Sequence, residues 1–210
     1  MKVLLVNGSP HKTGGTYTAL NTIANSLKEE NIDSEIFWVG RKPISGCIAC
    51  HGCRKLHKCV IGEEPNEFLN LAKEADAFVF GSPVHFGSMS GLLSSLLDRA
   101  FYVQEQGEYV NFRFKPCAVV VSGRRGGATA TFDQLIKYPA IAHMPIISSG
   151  YWNMVHGNNA EEALKDDEGI QTMYRLGKNM AYYLKCIELA KQNDILPPVY
   201  TDKIYTNFIR

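Results

Sequence analysis

The sequence lacks several things that would each have assigned it a role. No stretch of its 210 residues approaches the roughly 20 consecutive apolar residues that cross a bilayer. Charge of one sign is not in excess: 22 basic against 21 acidic side chains leave a formal +1. Neither nucleic acid nor an anionic membrane surface is therefore an expected partner. Lys2 precedes only the short apolar run Val3 to Val6, with no small-residue cleavage site after it, so no secretory signal is expected. A soluble, cytoplasmic protein is the expectation, and in that reducing setting disulfides are disfavoured for the six cysteines. Internal repeats and low-complexity segments are missing, and so are the two common phosphate signatures. Gly14-Gly15 is not followed by Lys-Ser/Thr as a Walker A loop requires, and there is no G-x-G-x-x-G.

What is present is an alternation of two periodicities. Short β-branched runs read as buried strands at Lys2 to Asn7, Glu35 to Val39, Ala77 to Phe80 and Ala118 to Val121, with a fifth opening at Pro145 to Ser148. Between them, helical spacing covers Gly14 to Glu30, Asn66 to Glu74, Leu92 to Val103, Thr129 to Ala142 and Glu168 to Gln192. Pro139 is expected to distort the end of its helix. Five strand–helix alternations predict an α/β fold, a doubly wound five-stranded parallel sheet with helices on both faces. One domain is expected over 1–192. A non-periodic insertion at about 40–65 interrupts it, and a tail follows at 193–210. Long insertions of this kind are usually functional. In the tail, Tyr200, Tyr205 and Phe208 are apolar anchors with little of their own domain left to cover, which predicts a homo-oligomer, a dimer or tetramer.

Three loops follow three predicted strands, and loops after parallel strands share the ligand-binding edge of the sheet. The first, Gly8 to Thr18, runs into a helix N-terminus, where free N–H groups and the helix dipole suit a phosphate. Ser9, Thr13, Thr16 and Thr18 add hydroxyls, Lys12 is the one strong charge, and Gly15 and Tyr17 open the helix. Many hydroxyls and few charges fit a phosphate monoester such as that of FMN. The second loop, Gly81 to Gly91, includes Pro83, Val84, His85, Phe86, Gly87, Ser88 and Met89. Its glycine backbone can approach a planar ring, and His85 and Phe86 can flank one. The third runs from Ser122 and Gly123 through Arg124 and Arg125 to Gly126 and Gly127. The two arginines read as a solvated basic turn, or as partners for the phosphates of a nicotinamide cofactor.

Within the insertion, Cys47, Cys50, Cys53 and Cys59 stand at spacings of two, two and five intervening residues. Consecutive two-residue spacings let three thiolates converge and a fourth complete the ligation of a [4Fe–4S] cluster. Zinc would accept the same set, with His51 or His57 in reserve, although structural zinc more often uses two separated pairs. A loop of free thiols without metal is the third reading. Cys117 and Cys186 read as core cysteines of a strand and a helix.

Gly8-Ser9-Pro10 with Gly14-Gly15-Thr16, the run Gly81 to Ser90, Leu96-Leu97-Asp98-Arg99, and Gly123 with Gly126-Gly127 resemble the NAD(P)H-dependent FMN reductase family, which is flavodoxin-like. The resemblance runs from Lys2 to about Lys185. It implies that Ser9, Thr16, Tyr17 and Thr18 hold the FMN phosphate. Pro83 to Met89 would line the ring with a backbone N–H near N5, and Gly123, Gly126 and Gly127 would line its other side. His85 stands where the family usually has Tyr. The cysteine spacing after the second strand is similar to that of the iron–sulfur flavoproteins. The family implies an FMN-dependent oxidoreductase. It would take electrons from NAD(P)H to a small-molecule acceptor such as a quinone, a nitro or azo compound, or flavin, with no side chain acting as catalytic nucleophile. The iron–sulfur branch implies instead an electron carrier with a [4Fe–4S] cluster and a ferredoxin-like donor.

Overall fold

The computed structural model describes residues 1–107 and 109–201, together with 204, 206 and 208. Its strands are β1 (Lys2–Asn7), β2 (Asp33–Trp38), β3 (Ala77–Pro83), β4 (Cys117–Gly123) and β5 (Met154–His156). All pair in parallel in the order β2-β1-β3-β4-β5. The helices are α1 (Gly15–Glu29), α2 (Cys53–Leu56), α3 (Glu64–Glu74), α4 (Gly91–Glu105), α5 (Ala128–Ile141), α6 (Ala160–Leu164) and α7 (Asp167–Gln192). Among the described residues, no helix is long and apolar enough to cross a membrane.

Strand side chains alternate between faces, so apolar runs in β1, β3 and β4 feed two cores. Val3, Leu5, Val79 and Val120 meet α1 and α7 on one face. Leu4, Val6, Phe78, Phe80, Val119 and Val121 meet α3, α4 and α5 on the other. That second core is aromatic, with Phe101 stacked on Phe112 at 4.5 Å between ring centroids and Phe78 edge-on to Phe112 at 5.3 Å. On the first face Gly177 lets α7 press on α1, where a Cβ would stand 2.7 Å from Ser26.

The predicted helices recur within a few residues, but the fifth strand does not lie where the sequence pattern put it. Pro145 to Ile147 makes one bridge to Cys117, through Cys117 N–H to Pro145 O and Ile147 N–H to Cys117 O, both at 2.8 Å. The chain then loops out through Gly150, at φ +106°, and rejoins the sheet as β5, alongside Val121 to Gly123. Asn153 explains how the edge tolerates this interruption. Its side-chain amide donates to Val119 O at 3.1 Å and its Oδ1 accepts from Ser149 Oγ at 2.6 Å, which satisfies groups a continuous strand would have paired. Cys186 is a second correction: it is exposed, off the buried stripe of α7 that runs through Met173, Leu176, Met180 and Leu184. Cys117 is fully buried, as expected, and burial pushes its thiol well above the usual range.

Candidate functional site

The carboxyl ends of β1, β3 and β4 bring the three loops together, and backbone contacts do most of the joining. Gly8 N–H donates to Gly81 O at 2.9 Å, tying the first loop to the second. Ser90 closes the same junction: its hydroxyl donates to Gly8 O at 2.6 Å, and its N–H donates to Ser82 Oγ at 2.9 Å. A Cβ on Gly15 would stand 2.5 Å from Ser122 Oγ, so the first loop packs directly on the third. Gly127, at φ +92°, sits where a Cβ would lie 2.7 Å from Gly87 Cα and 2.9 Å from Val84. The second and third loops are therefore in backbone contact.

The first loop is shaped before any ligand enters. Asn7 caps β1: its Oδ1 accepts from Ser9 N–H at 3.1 Å and its amide donates to Lys12 O at 3.2 Å. Ser9 Oγ accepts from His11 N–H at 3.1 Å, which leaves its own proton available. Trp38, from the end of β2, donates its indole N–H to Ser9 O at 2.9 Å, and Lys12 Nζ stands 5.8 Å from the Trp38 ring centroid. Helix α1 begins at Gly14 with no side-chain cap and no acidic residue in its first turn. The N–H groups of Gly15, Thr16 and Tyr17 precede the first helical bond, from Thr18 N–H to Gly14 O. Thr16 is 1% exposed and its Oγ1 has no partner. These are the features a phosphate-binding loop needs: uncapped donors, an orphaned hydroxyl and no competing carboxylate. The Thr18 hydroxyl donates to Gly14 O at 3.3 Å and steadies the helix start.

The second loop ends in a tight turn, with Phe86 at φ 50° and Gly87 at φ 74°. His85 and Ser88 exchange backbone hydrogen bonds at 2.8 and 3.0 Å across it. Gln134 of α5 holds the turn from behind: its Oε1 accepts from Ser88 Oγ at 2.8 Å and from Met89 N–H at 3.0 Å. His85 and Phe86 are both exposed, and Phe86 stands fully clear of the surface. Pro83, Val84 and Met89 are partly buried. Gly123 is buried and Gly127 partly so, while Arg124, Arg125 and Gly126 are exposed.

All four cysteines of the insertion line one pocket, with Ile48, His51, Val60, Arg99 and Tyr102. Cys53 is buried, and burial followed by the neighbouring thiols Cys47, Cys50 and Cys59 pushes its thiol up. Cys59 is held by Asn66, whose side chain accepts from Cys59 N–H and donates to Cys59 O, both at 2.9 Å. Arg99 Nε donates to Cys59 Sγ at 3.3 Å. Among the described residues, no three His, Cys, Asp or Glu side chains gather around a point where one metal ion would sit. In a cubane each thiolate binds a separate iron, so the four sulfurs stand around the rim of a larger body. By its chemistry, a set of four cysteines lining an apolar pocket beside a buried cation suits such a cluster.

Sequence reasoning passed over Asn7, Trp38, Gln134 and Tyr102. Trp38, Gln134 and Tyr102 act through fold-dependent contacts with distant segments; Asn7 acts within its own loop and left a trace, as a polar residue ending an apolar strand. In the tail, Tyr200 lies against its own domain, with ring centroids 5.6 Å from His143 and 6.0 Å from Phe114. Phe208 is 93% exposed, and Tyr205 lies outside the described residues.

The profile of the NADPH-dependent FMN reductase family matches residues 1–159. An iron–sulfur flavoprotein of Methanocaldococcus jannaschii is 31% identical over 193 residues, covering 90% of this chain and 100% of its own. An FMN-dependent NADPH-azoreductase of Staphylococcus saprophyticus is 32% identical over 135 residues, covering 62% of this chain and 64% of its own. Among solved structures, a flavodoxin from the domain Archaea superposes with a TM-score of 0.57 at 18% identity. The match covers 88% of this chain and 99% of that one, and shows the flavodoxin-like fold. On its sequence and its fold, the chain belongs to the NADPH-dependent FMN reductase family of oxidoreductases, among the iron–sulfur flavoproteins.

Proposed function

We propose that the chain binds FMN across the ends of β1, β3 and β4. In this reading it exchanges single electrons with a ferredoxin-like donor through a [4Fe–4S] centre on Cys47, Cys50, Cys53 and Cys59. The observation that supports the reading is that all four cysteines line one pocket beside a buried arginine. Bound FMN would supply both one-electron exchange and hydride acceptance, and the cluster would supply one-electron exchange alone.

The chain's own residues position the flavin. The uncapped N–H groups at the start of α1 and the hydroxyls of Ser9 and Thr16 take the phosphate, with Tyr17 beside them. The turn at Val84 to Met89 presents backbone to one side of the ring, held by Gln134, and Gly123 to Gly127 presents backbone to the other. Exposed Arg54, Lys55 and Lys58 flank the cysteine pocket and suit a protein donor with an acidic surface. The domain is read as 1–192, with the cysteine insertion as its electron entry.

A second reading has its own observation in favour. Arg124 and Arg125 are exposed on the third loop, where they can meet the phosphates of NAD(P)H stacked on the flavin. In that case the chain passes hydride equivalents to a quinone, a nitro or azo compound, or free flavin. Both readings rest on phosphate recognition, so the first experiment is a titration of flavin-free protein with FMN and with riboflavin. FMN binding at least 100-fold tighter, about 2.7 kcal/mol, supports the loop assignment, and equal affinities overturn it. Anaerobic reduction rates with NADH, NADPH and reduced ferredoxin then choose between the two donors.

A further inference from the structure

Arg99 is the most anomalous side chain in the structure. It sits on the third turn of α4, 2% exposed, and lines the cysteine pocket. Its Nε donates to Cys59 Sγ at 3.3 Å and its Nη1 to Ser45 O at 3.2 Å, while Nη2 is buried without a partner. Among the described residues, no carboxylate stands within ion-pairing distance of it. A guanidinium is charged at any ordinary pH and is expensive to bury unpaired. Two acidic groups lie near it: the Glu64 carboxylate, which borders Gly62 alongside Nη2 without forming an ion pair, and the cysteine quartet, whose Cys59 sulfur accepts its hydrogen bond.

We infer that Arg99 is a positioning residue that serves as the buried counter-charge of the cysteine centre and directs a hydrogen bond to Cys59. Four thiolates around a [4Fe–4S] core carry net negative charge, and potentials of such centres follow net charge and the hydrogen bonds to their sulfurs. Arg99 supplies both at once, from a rigid helix. It also ties Ser45 and Cys59 together across the pocket, while Tyr102, one turn on, holds His51 through Tyr102 Oη and His51 Nδ1 at 3.0 Å. Helix α4 begins at Ser90, the residue that closes the flavin loops. One helix therefore braces the flavin edge at its start and the cysteine loop at its third turn.

This inference rests on the iron–sulfur reading, and the test separates the two. Wild type, Arg99→Met, Arg99→Gln, Arg99→Lys and Arg175→Met are purified without oxygen. Iron, sulfide and FMN are counted, and the centre is titrated by EPR spectroelectrochemistry. Arg99→Met is expected to shift the potential in the negative direction and to lose iron at least fivefold faster, with FMN content unchanged as the check on folding. Arg99→Lys, which keeps the charge without the fork, is expected to recover part of the shift. Arg175→Met, an exposed arginine on α7, is expected to leave the potential in place. An unshifted potential in Arg99→Met overturns the inference; should that variant not fold, an unshifted potential in Arg99→Gln, which also removes the charge, together with an unchanged rate of iron loss does so. Equal losses in the Met and Lys variants also overturn it, because they would assign Arg99 to packing alone. Wild-type protein without iron would defeat the underlying reading first, and this inference with it.

Discussion

The flavin edge and the cysteine insertion are built in opposite ways. At the edge, three loops are joined by backbone: Gly8 to Gly81, Gly127 against Gly87, Gly15 against Ser122. Side chains such as Trp38 and Gln134 brace a shape the glycines already define. In the insertion there is one helix of four residues, and Cys47 and Cys50 are exposed. Cys59 is fixed by side chains from elsewhere, Asn66 and Arg99. The difference teaches where each region is vulnerable. The edge should fail when backbone contact is blocked and tolerate the loss of a brace. The insertion should fail when one side chain is removed, without disturbing the edge.

The largest effect expected follows from the closest backbone contact. Gly127→Val places a Cβ in Gly87 at a φ that disfavours side chains. It should abolish measurable FMN binding and destabilise the fold by about 3 kcal/mol, read by flavin fluorescence and thermal unfolding. Cys59→Ser should remove most of the iron while FMN affinity stays within about twofold, since the two regions share no backbone contact of this kind. A matching loss of FMN would break the comparison.

Smaller effects sharpen it. Trp38→Leu deletes the indole bond to Ser9 O, and FMN affinity should fall about tenfold, or 1.4 kcal/mol. Gln134→Leu leaves Ser88 Oγ and Met89 N–H without their acceptor. FMN affinity should fall about threefold to tenfold, with Gln134→Glu retaining the acceptor and most of the affinity. The smallest effect concerns neither region. Glu30 is held down from 4.5 to about 2, first by its hydrogen bond to Lys185 and then by that to Lys178. Its folded-state value lies below the unfolded one, so its contribution is complete above about 4.5 and disappears as pH falls toward about 2. The Tm difference between wild type and Glu30→Gln should be small, as for any exposed pair, and should vanish over that window.

The same contrast governs what was legible in the sequence. The strands and helices of the edge were readable because burial on both faces makes β1, β3 and β4 continuous apolar runs and gives α1 and α7 their stripes. The three loops could be assigned to one edge by topology alone. The fifth strand was misplaced because Asn153 and Ser149 satisfy the interrupted edge with side chains, and periodicity carries no record of that. The cysteine spacing marked the residues that line the pocket, but not the buried cation beside them. Arg99 looks in sequence like one more charged residue on a helix; only the packing of α4 against the insertion makes it a buried charge. Cys186 was misjudged because a single apolar residue near the end of a long helix can fall on either side of its stripe.

The central claim, that an FMN edge and a four-cysteine iron centre share one chain, is tested most directly by protein purified without oxygen, with its absorption spectrum recorded and iron and sulfide assayed together. The account predicts flavin bands over a broad sulfur-to-iron shoulder, with about four irons per chain. Flavin bands alone, with no iron after anaerobic handling, would contradict it and leave an NAD(P)H-dependent flavin reductase with a loop of free thiols.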